Sequence, residues 1–167
     1  MPKGNPVQIN CFVDADHARN RVTRWSQTGI LIFLNCSPII WYSKAQNTME
    51  TSTFGSEFTA MRITVELLES LHYKLRMFGI PLDGPLNTFC DNSSVVTNYI
   101  HLASTIKKKH NSMAYHKVRE AIASSVIRVC WVHSSKKLAD MLMKPLPGRA
   151  LHALCNKAMY LYKAKDE

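Results

Sequence analysis

The sequence has no apolar run long enough to cross a bilayer. Its longest apolar stretch, Gly29 to Trp41, is interrupted by Asn35, Ser37 and Pro38, and it falls short of the roughly 20 residues that a helical span requires. No membrane partner is expected. The opening MPKGNPVQIN has no apolar h-region, so no secretory signal is expected there. Cysteine is sparse: Cys11, Cys36, Cys90, Cys130 and Cys155 make an odd count with no CxxC spacing. A disulfide framework and a zinc knuckle are both poor readings of that pattern. Cys130 with His133 lacks a second pair, and a reducing compartment fits better. Internal repeats and low-complexity linkers are missing. With 46% apolar and 20% charged residues the chain has the composition of a packed domain, not of a disordered tail. Acids are the scarce class, with 12 Asp+Glu against 21 Lys+Arg and a net charge of +9. That balance suits a polyanionic partner such as nucleic acid.

The 167 residues amount to one domain, with a core at about 7–145 and a C-terminal helical extension at 146–167. Three short strands open it: Val7 to Val13 alternates apolar and polar residues, Gly29 to Leu34 is continuously apolar, and Ile39 to Ser43 follows the Ser37-Pro38 turn. Their short separations favour antiparallel pairing. Phe54, Phe58, Met61, Val65, Leu68, Leu71, Leu75 and Phe78 then recur at spacings of three and four, which predicts a long helix. Thr51, Ser52 and Thr53 are its candidate N-caps, and Gly79 with Pro81 stops it. A strand at Leu86 to Cys90, a helix from about Asn92, a helix from Thr105 to Ser124 and a strand at Val126 to Val132 follow. A short helix at Leu138 to Met143 and a helix from Gly148 to about Tyr162 complete the chain. This order predicts an α/β fold: a mixed sheet with helices on its faces.

With so few acids, each can be placed. Asp14 and Asp16 stand at the end of the first strand, in FVDAD, on one face if the strand continues that far. Glu57 falls inside the apolar stripe of the long helix, where an unpaired carboxylate is costly, whereas Glu66 lies on the far, solvated side. Asp91 follows the fourth strand directly, and Asp140 sits in the apolar turn LADML after the last. Each has a plain alternative: Asp91 as a helix N-cap, Asp14 or Asp16 as a turn cap, Asp140 as a half-exposed helical acid. Taken together, Asp14, Glu57, Asp91 and Asp140 point to the crevice beyond the strand ends of an open α/β sheet. Carboxylates gathered there repel one another unless something positive sits between them, and a hard divalent ion such as Mg²⁺ answers that need. Two ions about 3.5–4 Å apart could clamp a phosphodiester and activate a water.

FVDADHA (12–18), TGILIFLNCSPIIWYSKAQNT (28–48), TSTFGSEFTAM (51–61), FCDNSSVV (89–96), KKKHNSMAYHKVRE (107–120) and LADMLMKPLP (138–147) carry a further signal. In this order they make the chain resemble the ribonuclease H domain of copia-type LTR retrotransposon polyproteins. The resemblance implies an RNase H-like fold: about five strands, three antiparallel then two parallel, with helices on both faces. It implies catalytic and metal-binding roles for Asp14, Glu57, Asp91 and Asp140, and His133 as the positional match to a proton-transfer histidine. The order Asp, Glu, Asp, Asp separates this family from integrases and transposases of related fold, whose Glu comes last. The implied activity is hydrolysis of the RNA strand of RNA–DNA hybrids during reverse transcription. Two Mg²⁺ ions would serve it, with Mn²⁺ as a substitute, and a reverse transcriptase would be the neighbour. The implied location is a cytoplasmic virus-like particle. The chain departs from the family pattern at His17, at Gly55 and in DMLMKPLP, none of which touches the four acids.

The positive charge clusters at Lys107, Lys108, Lys109, Lys117 and Arg119, with Lys136, Lys137 and Lys144 near the last acid. That suits a phosphate-tracking face, its alternative being a solvated basic helix. Ser56, Asn92 and Ser93, beside the acids, are candidate contacts to the nucleic acid, where 2′-hydroxyls distinguish RNA from DNA. Two other functions compete with a nuclease: a catalytically inactive nucleic-acid-binding module, and a domain that only tethers a polymerase to a partner. Retention of all four acids favours the nuclease.

Overall fold

A computed structural model describes residues 4–20, 22–50, 52–101 and 112–159. Five strands form one sheet: β1 (Ile9–Asp16), β2 (Gln27–Leu34), β3 (Ser37–Ala45), β4 (Leu86–Cys90) and β5 (Ile127–Trp131), in the order β3-β2-β1-β4-β5. β1–β2 and β2–β3 pair antiparallel, while β1–β4 and β4–β5 pair parallel. The helices are α1 (Thr53–Met77), α2 (Ser93–Ile100), α3 (Ser112–Ala123) and α4 (Gly148–Ala158). β1 runs on to Asp16 instead of stopping at Val13, so Asp14 lies within the strand. The expected helix at Thr105 to Ser124 is described only as α3, because 102–111 lie outside the described residues. The segment at Leu138 is a 3-10 turn, Leu138–Leu142, and not an α-helix.

Strand alternation sorts the apolar side chains to two faces. Ile9, Cys11 and Val13 of β1 and Ile30 and Ile32 of β2 meet Phe58, Met61, Val65 and Leu68 of α1, with α2 and α3 completing that layer. Phe12, Leu31 and Phe33 face the other way, against Leu138, Met141, Leu142, Leu154 and Ala158. Helical elements therefore cover both faces. Ser52 is the N-cap of α1, its hydroxyl accepting from Gly55 N at 3.2 Å. The stripe ends earlier than its period implies: Phe78 is the C-cap residue and is 74% exposed. Glu66 is solvated as expected, at 2.5 Å from Arg62 on the outer face.

Candidate active site

β1 and β4 are parallel neighbours with Phe12 opposite Phe89. Two residues further along each chain, Asp14 and Asp91 therefore emerge at the same end of the sheet. Glu57 arrives from one side on the first turns of α1. The start of that helix is tied to the sheet by Gln46, whose Nε2 donates to Ser56 O at 2.8 Å and to Thr28 Oγ1 at 2.9 Å. Asp140 arrives from the other side on the Leu138–Leu142 turn. That turn comes close because Gly29, which pairs with Asp14, has no side chain. A Cβ on Gly29 would lie 2.5 Å from Met143 Cγ and 3.0 Å from Ala139 O.

A positive charge does sit between these carboxylates, and it belongs to the chain. The ammonium of Lys137 lies 2.5 Å from Asp14 Oδ1, 2.8 Å from Asp91 Oδ2 and 3.7 Å from Asp140 Oδ1. Lys137 is only 5% exposed. Lys144 flanks the same group from a more open position, 2.8 Å from Asp140 Oδ1 and 3.4 Å from Asp14 Oδ2. Ser134 adds a hydroxyl 3.4 Å from Asp91 Oδ2, and the Trp131 indole N–H donates to Asp91 O at 2.9 Å.

Burial dominates the protonation of the inner pair. It pushes Asp14 up to about 6, against the lowering pull of Lys137, with a proton shared with Asp140 adding to the rise. Burial likewise raises Glu57 to about 7; an Asn92 hydrogen bond opposes this, and the charges of Asp14 and Asp91 reinforce it. Asp140 is half-buried, which acts upward, yet the hydrogen bonds to Asp14 and Lys144 outweigh that and hold it below its ordinary value. Lys137 is driven the other way: burial opposes its charge, but the facing Asp14 and Asp91 carboxylates prevail and keep it protonated.

All four acids expected at the site are thus gathered there. The other candidates divide. Ser56 is fully buried and its hydroxyl donates to Thr53 O at 2.8 Å, so it has no face to offer a nucleic acid. Asn92, and not Asp91, is the N-cap of α2: its Oδ1 accepts from Ser94 N and Val95 N. That frees Asp91 from the capping alternative. Ser93 is exposed on the first turn of α2. His133 is exposed beside the site, its ring edge-on to Trp131 with centroids 6.1 Å apart. Lys117 pairs with Glu69 of α1 at 2.8 Å, and Arg119 donates to Tyr115 Oη at 2.7 Å while stacking over that ring. Lys107, Lys108 and Lys109 lie outside the described residues. The residue that sequence reasoning passed over as a catalytic-site group is Lys137. Its one local signal is the KKLAD spacing, which puts it three residues before Asp140.

The donor chemistry suits a hard divalent ion: with the acids ionised, Asp14 Oδ2 and Glu57 Oε2 are buried and accept no hydrogen bond. The arrangement does not suit one as it stands. Among the described residues no three acidic, His or Cys groups are spaced to hold a metal ion together. The central position is taken by the Lys137 ammonium.

No protein-family model matches the chain. It is 30% identical over 157 residues, 94% of its length, to the Pol polyprotein of the Arabidopsis thaliana transposon RE2, and 29% identical over the same span to that of transposon RE1. A tobacco relative, from transposon TNT 1-94, is 27% identical over 95% of the chain. The chain spans 11% of the length of the RE1 and RE2 polyproteins. Among solved structures, the N-terminal RNase H domain of a Mycobacterium tuberculosis protein superposes with a TM-score of 0.58 at 15% identity, covering 92% of this chain and 99% of that one. The chain is a homologue of copia-type Pol polyproteins with the ribonuclease H fold. LC11-RNase H1, crystallised in complex with an RNA/DNA hybrid, has a TM-score of 0.59 at 17% identity, covering 81% of this chain and 93% of its own. In this ribonuclease H fold Asp14 lies near the carboxyl end of β1 and Asp91 directly after β4, with Glu57 and Asp140 alongside, at the end of an open α/β sheet where sites usually form. No helix among the described residues is long and apolar enough to cross a membrane.

Proposed function

We propose that this chain is a Mg²⁺-dependent endoribonuclease that hydrolyses the RNA strand of RNA–DNA hybrids during reverse transcription. It would act within a Pol polyprotein, beside its reverse transcriptase and inside a virus-like particle. The observation that carries this reading is the convergence of Asp14, Asp91 and Asp140, from three separate segments, on one cation position, with Glu57 next to them. Such a cluster is destabilising in a merely structural domain and is retained where cations must be held against phosphate.

Asp14, Glu57, Asp91 and Asp140 are the residues that would hold Mg²⁺. When bound, Mg²⁺ supplies a water of lowered pKa and charge stabilisation at the leaving 3′ oxygen. The chain's own contributions are positional. Asn92 orients Glu57 through its side chain while its Oδ1 fixes the start of α2. Trp131 and Ser134 hold Asp91 from its backbone and its carboxylate. Lys144 keeps Asp140 turned toward Asp14. His133, exposed and edge-on to Trp131, is the proposed proton-transfer residue at the rim. Lys117, Arg119, Ser93 and the 107–109 lysines are proposed to follow the hybrid's phosphates.

The test is cleavage of an end-labelled hybrid with and without Mg²⁺, with 5′-phosphate and 3′-hydroxyl product ends expected. One observation favours the second reading, an inactive hybrid-binding module: Lys137 stands where a metal would be needed. Tight hybrid binding with no cleavage at any Mg²⁺ concentration would establish that second reading.

A further inference from the structure

Lys137 is not an ordinary surface lysine whose tip strays toward an acid. It is 5% exposed, and its ammonium reaches two carboxylates within 2.8 Å and a third at 3.7 Å. It makes no hydrogen bond to Asp14 Oδ2 or Glu57 Oε2, and with Lys144 beside Asp140 and Asp14 the two ammonium groups bring two positive charges to four carboxyl groups. Its position in the chain allows it to leave. It lies between two 3-10 turns, Ser134–Lys136 and Leu138–Leu142, and its stem is a flexible four-carbon chain. Lys144, 37% exposed at the side chain, marks an open side of the cluster toward which a displaced ammonium could move.

We infer that the Lys137 ammonium is a tethered counter-ion that holds the acidic cluster together when no metal is bound and must be displaced before a divalent ion can enter. This rests on the metal-binding reading of the four acids. The consequence is a higher Mg²⁺ threshold than the carboxylates alone would set, with a fold that tolerates the metal-free state. Every free ion has to compete with a charge held at high effective concentration by the chain.

The experiment compares wild type with Lys137→Gln, using the whole chain. Without Mg²⁺ the variant should unfold roughly 10 °C lower, because the carboxylates lose their shared cation. Mg²⁺ should restore its Tm and should bind, by calorimetry, at least about tenfold more tightly than to wild type. In wild type, the slowly exchanging Lys137 ammonium signal in a proton–nitrogen NMR spectrum should disappear as Mg²⁺ saturates. That measurement decides the matter even if the variant folds poorly. Equal Mg²⁺ affinities, or an ammonium signal unchanged at saturation, overturn the inference and leave the metal reading standing. No Mg²⁺ binding by either protein overturns both.

Discussion

Gly29→Ala tests how the site is assembled. Gly29 sits opposite Asp14 in the β1–β2 ladder, and the turn carrying Asp140 rests against it. A methyl group there would lie 2.5 Å from Met143 Cγ, 2.8 Å from Met143 Sδ and 3.0 Å from Ala139 O. Ordinary carbon contacts lie near 3.5–4.0 Å, so the turn must back away by about 1 Å. Met143 is 1% exposed and Ala139 fully buried, so neither can yield into solvent. Overpacking of this kind costs about 1–3 kcal/mol, which lowers Tm by roughly 3–10 °C for a chain of this size. The larger effect is on geometry, since a displacement of about 1 Å between Asp140 and Asp14 should reduce hybrid cleavage on the order of 100-fold. Thermal unfolding and single-turnover cleavage read the two effects separately. Adding Met143→Ala should recover part of the stability, because it removes the side-chain clash while the Ala139 carbonyl contact stays. A Gly29→Ala protein with wild-type Tm and wild-type cleavage would refute the close-approach account.

Three further outcomes are expected. Asp91→Asn should abolish Mg²⁺-dependent cleavage while hybrid affinity, measured by fluorescence anisotropy, stays within a few-fold; near-normal cleavage would remove Asp91 from the catalytic set. In EDTA, stability should fall as pH rises. Glu57 and Asp14 are raised to about 7 and about 6 in the folded chain, so the folded state holds protons that the unfolded state has released. Their contribution is complete below the ordinary carboxyl range and is lost as pH passes through 6 and 7. Urea titrations at pH 5 and pH 8 should show Glu57→Gln more stable than wild type only at the higher pH, by ~2 kcal/mol after solvent screening. A gap of equal size at both pH values would contradict the assigned shift. Finally, hybrid affinity should fall steeply with salt if the basic segment tracks phosphates, whereas weak binding at low salt would favour the tethering role.

The local pattern was readable wherever a single element decides it. Spacings of three and four placed α1 and put Glu57 on its buried stripe, where it is found at 9% exposure. The β-branched run at Val126 to Val132 and the break after Leu34 indicate strands close to the observed Ile127–Trp131 and Gln27–Leu34. The order of the acids, read with the surrounding motifs, was enough to indicate the family. Several features needed the fold. Period-two alternation fixes which face a residue takes but not where a strand starts and stops, so the expected Val7 to Val13 begins two residues before and ends three residues before the observed β1, Ile9–Asp16. Hydroxyl chemistry beside an acid made Ser56 look like a contact residue, yet its orientation depends on where α1 starts against the sheet, and that buries it. Gly29 gave no hint of its importance, because the turn that needs the space is distant in sequence. Lys137 is the largest case. In a Lys-Lys pair before an apolar turn it reads as a solvated charge, since desolvating an ammonium is costly unless partners are waiting. Asp14 and Asp91, brought in by the parallel register of β1 and β4, are those partners, and only tertiary pairing determines where they meet it.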